Sequence, residues 1–355
     1  MAKARNSTIE VYRILAMVAI VAHHYSVHGG VVGQASSGGL HYFLLAYSSM
    51  GKWGVDVFVL IGAYFMAQST FRWRGVRSVL VQVWTTSWMF VMVALLWLPG
   101  DVGSRNLLHA VAPVSTNFYW FVTVYVVLIA LSPFINILVK AMTKSQHEVL
   151  MGVLFVLWSV VSLIPDISFG VNNITWFVEL YLIAAYISRY PLRGGAKAWA
   201  ASAAVLVVAI PFATILGGIL DATHPSWGVD PGLMRAQNSP LVAMAAICGL
   251  VAVTKMKPRF WPAVNTVAAA TFGVYLIHDN PFIRQVLWRD WVGTLDAAQN
   301  PAWVPLHAIA FTIGIYAVAT ALELVRQQVV QRPAMALGDR IFRRRPVPGT
   351  AEREL

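Results

Sequence analysis

Residues Ile9 to His28 read IEVYRILAMVAIVAHHYSVH, an apolar stretch long enough to cross a bilayer as one helix, with Arg13 near one end and His24 near the other. An ionisable side chain at the centre of a membrane span costs about 2.5–3.5 kcal/mol or more, so each of these two residues is a functional candidate from the outset. At 100° per residue the step from Arg13 to His24 closes three helical turns to within roughly 20°, and the two side chains leave the same face about 16 Å apart along the axis. His23 points elsewhere. One helix therefore presents a cation near one membrane surface and an imidazole near the other, on a single stripe.

The rest of the chain supports a membrane setting. Of its 355 residues 58% are hydrophobic and only 12% charged, and the mean hydropathy is +0.65, values of a polytopic membrane protein rather than of two soluble domains. The formal net charge of +11 sits in short clusters between apolar runs, which leaves no soluble basic domain for a nucleic acid. The single cysteine, Cys248, lies within an apolar run and excludes an internal disulfide framework. Lys3 and Arg5 ahead of the first run resemble a signal peptide, but Glu10 and Arg13 interrupt the run and no small-x-small cleavage site follows, so the segment is expected to stay.

Apolar runs mark ten spans, at about 9–28, 50–69, 79–98, 118–139, 148–164, 174–188, 198–219, 240–254, 263–283 and 303–325. The fold class is thus all-α, a bundle of about ten transmembrane helices. With both termini cytoplasmic, twenty of the 26 Lys and Arg fall on the inner side, and the outer side keeps only Lys52, Arg105, Arg235, Arg284 and Arg289. The organisation reads as a short N-terminus (1–8), a transmembrane domain (9–330) and a basic tail (331–355) expected to be disordered beyond an inner-leaflet anchor. Among the outer loops, 29–49 is rich in Gly and Ser and 221–239 contains His224, Pro225, Trp227, Asp230 and Pro231, so each is suited either to form a lip over a site or merely to connect spans. There is no visible internal repeat.

This topology gathers scattered polar residues into layers. Near the outer ends of their spans lie His24, Asp56, the Tyr119-Trp120 pair, Glu179 and His278-Asp279-Asn280. Of the carboxylates, Asp56 fits His24 best by depth, with Glu179 and Asp279 behind it, and Asp279 reads more readily as an acid facing water. His24 suits a base held in one tautomer by a carboxylate, or a histidine bonded across helices. Trp120 is a candidate surface for stacking a sugar. At the inner side Arg13 meets Arg72, Arg74 and Arg77 of FRWRGVRS, and guanidinium groups match phosphate in charge and geometry; Glu10, three residues before Arg13, offers a structural ion pair instead. No metal site is expected, from paired cysteines or from histidines four apart on one helix face, and no Gly-rich nucleotide loop is present.

Taken in order, R-x(10)-H in the first span, G-V-D-x-F in the second, F-R-x-R after it, Y-W-F-V-x-x-Y with L-S-P-F-x-N in the fourth, N-S-P in the eighth and F-G-V-Y-L-I-H-D-N in the ninth resemble the acyltransferase family 3 integral-membrane O-acyltransferases, in particular the branch associated with bacterial surface polysaccharides. The resemblance implies transfer of an acyl group, most often acetyl, from cytoplasmic acyl-CoA to a hydroxyl of a cell-surface or lipid-linked glycan in a bacterial cell membrane, with acyl-CoA as a co-substrate and no tightly bound cofactor. It implies donor binding by Arg13, Arg72 and Arg74, with Arg77 available, and a catalytic His24. Where many members have S-G-F or S-G-Y in the second span this chain has Ile61-Gly62-Ala63-Tyr64, so no serine role carries over there. Glu179 stands where an apolar residue is expected.

On that basis His24, oriented by Asp56, is expected to deprotonate an acceptor hydroxyl, or to carry the acyl group itself, with Tyr119, Trp120, Glu179 and His278 in the acceptor layer. The competing class is a transporter or flippase whose pathway these charges would line. Acceptor identity, acyl length and oligomeric state are not readable from the residues.

Overall fold

The structure is a computed structural model that describes residues 5–32, 38–71, 73–97, 104–164, 167 and 169–343. In chain order the helices are α1 Ser7–Val27, α2 Gly38–Ser48, α3 Gly51–Ala67, α4 Trp73–Trp97, α5 Ser104–Val111, α6 Trp120–Ala141, α7 Lys144–Phe155, α8 Asn173–Arg189, α9 Ala196–Thr223, α10 Pro231–Met234, α11 Pro240–Lys255, α12 Pro262–His278, α13 Thr294–Ala298, α14 Val304–Arg326 and α15 Arg332–Arg343. No strand occurs among the described residues. Each expected span falls on a helix, and six segments are long and apolar enough to cross a membrane by themselves, the longest being Val304–Arg340. Of the other four expected spans, α1 is 21 residues long but not apolar enough to be counted with these six, while α8, α11 and α12 are only 16 or 17 residues long and bury much of their surface inside the bundle. Towards the outside the bundle shows Leu96, Phe134, Val205, Phe212 and Ile313, the apolar exterior that a bilayer requires of a spanning helix.

α1 lies at the centre, packed on α3, α12, α14, α2 and α11. Its start is pinned by a local cap, with Asn6 Oδ1 accepting from the Thr8 amide at 3.1 Å, and by Ser7 Oγ bonded to Asn265 Oδ1 at 2.9 Å. The Tyr12 hydroxyl donates to the Ala246 carbonyl of α11 at 3.0 Å. α3 approaches α1 closely because Gly54 lies under the Ala16 carbonyl, where there is no room for a Cβ. In α6, Pro133 cannot donate to the Ile129 carbonyl four residues back; the Ser132 hydroxyl does so instead, at 2.8 Å.

The basic tail is helical at its start, and residues 344–355, part of the stretch expected to be disordered, lie outside the described residues. The helix runs through Arg343, and Asp339 there pairs with Arg74 at 3.0 Å and with Arg77. Earlier, at the end of α14, Arg326 grips Glu323 in two parallel bonds of 2.7 and 2.8 Å, and Gln82 of α4 and Gln327 each donate to the same carboxylate at 2.9 Å. Both members of this pair are buried, so the carboxylate's lone pairs are met by three side chains rather than by water.

Candidate active site

The stripe on α1 is present and faces a string of cavities. Arg5 and Arg13 line a 590 Å³ cavity at the end of the bundle where α1 begins. The same two arginines also line a 230 Å³ cavity bounded by Phe58, Gly62, Phe121, Tyr125 and Phe272. Phe58, Phe121 and Phe272 then close in on a pocket of only 20 Å³ that carries Met17, Ile20 and His24, about the space of one water. Beyond it, His24, Ile20, Val55 and Trp120 continue into a 150 Å³ cavity at the opposite end, lined also by His28, Lys52, Asp279 and Arg284. Neighbouring cavities share wall residues at every step, so they lie in series along the Arg13–His24 face, with a phenylalanine constriction just before His24.

The tautomer of His24 follows from its neighbours. His278 Nδ1 lies 2.6 Å from the Val274 carbonyl, which can only accept, so that nitrogen carries the proton and Nε2 of His278 holds a lone pair. His24 Nδ1 sits 2.9 Å from this Nε2 and must donate to it. His24 Nε2 is then left as the proton acceptor. Asp279 stands behind the pair: its Oδ1 is 3.9 Å from His24 Nδ1, 3.0 Å from His28 Nε2 and 3.6 Å from Arg284 Nη1. The end of α12 is itself braced, because Asn280 donates to the Tyr119 hydroxyl at 2.5 Å and Tyr119 donates to the Leu276 carbonyl at 3.1 Å.

Several expected roles are corrected by this geometry. The carboxylate at His24 is Asp279; Asp56 is fully buried and accepts instead from Trp176 Nε1 at 3.1 Å. Tyr119 is buried with its hydroxyl occupied on α12, so it braces the site rather than greeting an acceptor. His278 is a direct partner of His24, not a member of an outer layer. Trp120 does line the series, with Lys52 Nζ 4.4 Å from its ring centre. Glu179 is fully buried, lines none of these four cavities, and neither of its oxygens has a hydrogen-bond partner among the described residues.

At the other end Arg13 does pair with Glu10, at 3.0 Å, yet remains on the cavity wall. Arg74 and Arg77 are turned to Asp339 and line none of the four cavities, while Arg72 lies outside the described residues. Arg5, which had looked merely topological, takes the second place beside Arg13. A metal-capable trio was also missed: His24 on α1 and His28, four residues on and just past the end of that helix, bring three donor atoms within 4.8 Å of one another together with Asp279.

The match to known proteins bears on the whole of this series. A family model described as an acyltransferase domain, of acyltransferase family 3, matches residues 6–323, from the cap of α1 to Glu323 of α14. The chain belongs to this family. No curated protein and no solved structure matches it. It is therefore a multi-pass membrane acyltransferase, and the matched region includes every residue that lines the four cavities except Arg5. In the acyltransferase the departure at Ile61-Gly62-Ala63-Tyr64 also finds a physical setting: Gly62 lies against the Tyr125 hydroxyl with no room for a Cβ, and both line the 230 Å³ cavity.

Proposed function

We propose that this acyltransferase moves an acetyl group from cytoplasmic acyl-CoA to a hydroxyl of a cell-surface or lipid-linked glycan in a bacterial cell membrane, its ten spans leaving both ends of the chain on the cytoplasmic side. The observation that supports this most is the series of cavities from Arg5 and Arg13 to His24. Acyl-CoA has a phosphate-rich head on a thin arm, and two guanidinium groups at the wide mouth suit the head. The arm then extends along α1, whose rise from Arg13 to His24 is about 16 Å. For the thioester to arrive at His24, Phe58, Phe121 and Phe272 must swing aside, so that water is kept from the thioester until the donor itself opens the way.

The acceptor enters the 150 Å³ cavity from the other end. His24 Nε2 takes the proton of its hydroxyl as the oxygen attacks the thioester carbonyl. The C–S bond breaks, the acyl ester forms, and the thiolate of CoA leaves with the proton that His24 took up. Asp279 stabilises the imidazolium in between, and His278 holds the ring in the tautomer whose lone pair faces the cavities. General-base assistance of this kind is worth about 10²–10⁴-fold.

The test uses membrane vesicles loaded with the full-length protein. Labelled acetyl-CoA on the cytoplasmic side should label glycan on the opposite side with the wild type and not with His24→Ala. Glycan movement without consumption of acetyl-CoA would replace this reading with transport.

A further inference from the structure

Outer loops of a membrane protein shed Lys and Arg, and by the sequence reading this chain keeps five there. Four of them gather around one cavity. Lys52 and Arg284 line the 150 Å³ space that also holds His24. Arg235 donates to Ser48 Oγ at 2.6 Å, and the Ser48 carbonyl holds His23 of the same wall. Arg289 reaches the carbonyl of His28 at 3.4 Å. The side chain of the fifth, Arg105, lies outside the description.

Acids are sparse on the cavity wall itself, although Asp56 lies near Lys52, four residues on in α3, and Asp230 lies near Arg235. Asp279 is the one carboxylate among the described lining residues, and it is already shared between His28 and Arg284. Lys52 has no carboxylate within ion-pair distance among the described residues; its ammonium sits over the Trp120 ring, at the edge of the space His24 faces. An ammonium held on an aromatic face inside a half-enclosed cavity, with no ion pair of its own among the described residues, can pair with an incoming anion, and the ring offers that ligand a flat surface. The cavity holds some five water volumes, so it takes the end of an acceptor rather than a length of chain.

We infer that the acceptor is anionic, carrying a carboxylate or a phosphate that Lys52 binds while the reacting hydroxyl is at His24. This rests on the acyl-transfer reading and adds to it the chemical class of the acceptor. A uronic acid supplies the carboxylate and a sugar phosphate or lipid-linked phosphosugar supplies the phosphate.

The experiment uses purified full-length protein in nanodiscs with three probes: a glucuronate-terminated disaccharide, its methyl ester, and the corresponding glucose disaccharide bearing a 1-phosphate. Binding is read by calorimetry and acetyl transfer from acetyl-CoA in parallel, for the wild type and Lys52→Met. The expected result is that at least one charged probe binds, about tenfold or more tighter than the methyl ester, that Lys52→Met removes this preference, and that acetyl-CoA binding is unchanged by Lys52→Met. Which charged probe binds distinguishes carboxylate from phosphate. Equal binding of the methyl ester and both charged probes, or loss of acetyl-CoA binding in Lys52→Met, overturns the inference while leaving acyl transfer standing. Charge-selective binding with no transfer upholds the anion site and overturns the acyl-transfer reading.

Discussion

His24 donates a hydrogen bond from Nδ1 to Nε2 of His278 across 2.9 Å, and this single bond sets which nitrogen of His24 is free to take a proton. Replacing His278 with Phe removes the acceptor and lets His24 adopt either tautomer. Turnover should fall about a hundredfold, within the range of general-base assistance, with acetyl-CoA affinity unchanged. His278→Gln should restore a good part of it, because an amide can accept from His24 and donate to the Val274 carbonyl at once. If Gln and Phe prove equally inactive, the positioning role of His278 is wrong.

Asp279 and Asp56 separate two readings of the same layer. Asp279→Asn takes away the charge that stabilises the His24 imidazolium, and kcat should drop about tenfold or more, the equivalent of one pH unit in basicity. Asp56→Asn keeps an oxygen for Trp176 Nε1 and should leave kcat within about threefold, the scatter typical of a substitution that preserves its hydrogen bond. Steady-state transfer assays on the two variants check this, and the reverse order of effects would return Asp56 to the site.

The arginines make a similar contrast. Arg5→Ala should weaken acetyl-CoA about tenfold, as expected for loss of one charge-assisted phosphate contact. Arg74→Ala should leave donor affinity unchanged, because that side chain is 72% exposed and turned to Asp339. Calorimetric titration of each variant with acetyl-CoA decides the matter.

Much of this site was legible in the residues, and the limit is physical. Helical periodicity alone placed Arg13 and His24 on one face, because α1 is regular over that span. Depth along a span, however, says nothing about the rotation of a neighbouring helix, and it was the rotation of α12 that set Asp279 and His278 against His24 in place of Asp56. The tail helix draws Arg74 and Arg77 away from Arg13 through Asp339, a partner more than 250 residues distant in sequence. The spacing of His24 and His28, one helical turn, was readable and overlooked; the Glu323–Arg326 grip at three residues apart was readable as well. Asp279 as the third donor was not, since it comes from another helix.

That trio makes zinc a probe. Added zinc ion, held by His24, His28 and Asp279, would occupy His24 and should inhibit transfer reversibly, with activity returned by a chelator. His28→Ala should be markedly less sensitive. A chelator applied to the untreated enzyme should not lower activity if His24 acts as a free base, and a loss of activity would point to a working metal.

A donor path that begins at Arg13 and ends at His24 is tested most directly by acetyl-CoA binding to the purified protein, measured by calorimetry for the wild type, Arg13→Ala and His24→Ala. The prediction is that the wild type binds, that Arg13→Ala abolishes or greatly weakens binding, and that His24→Ala binds as well as the wild type while transferring nothing. A folded wild type that binds no acyl-CoA, or an Arg13→Ala variant that binds it undiminished, would contradict the account.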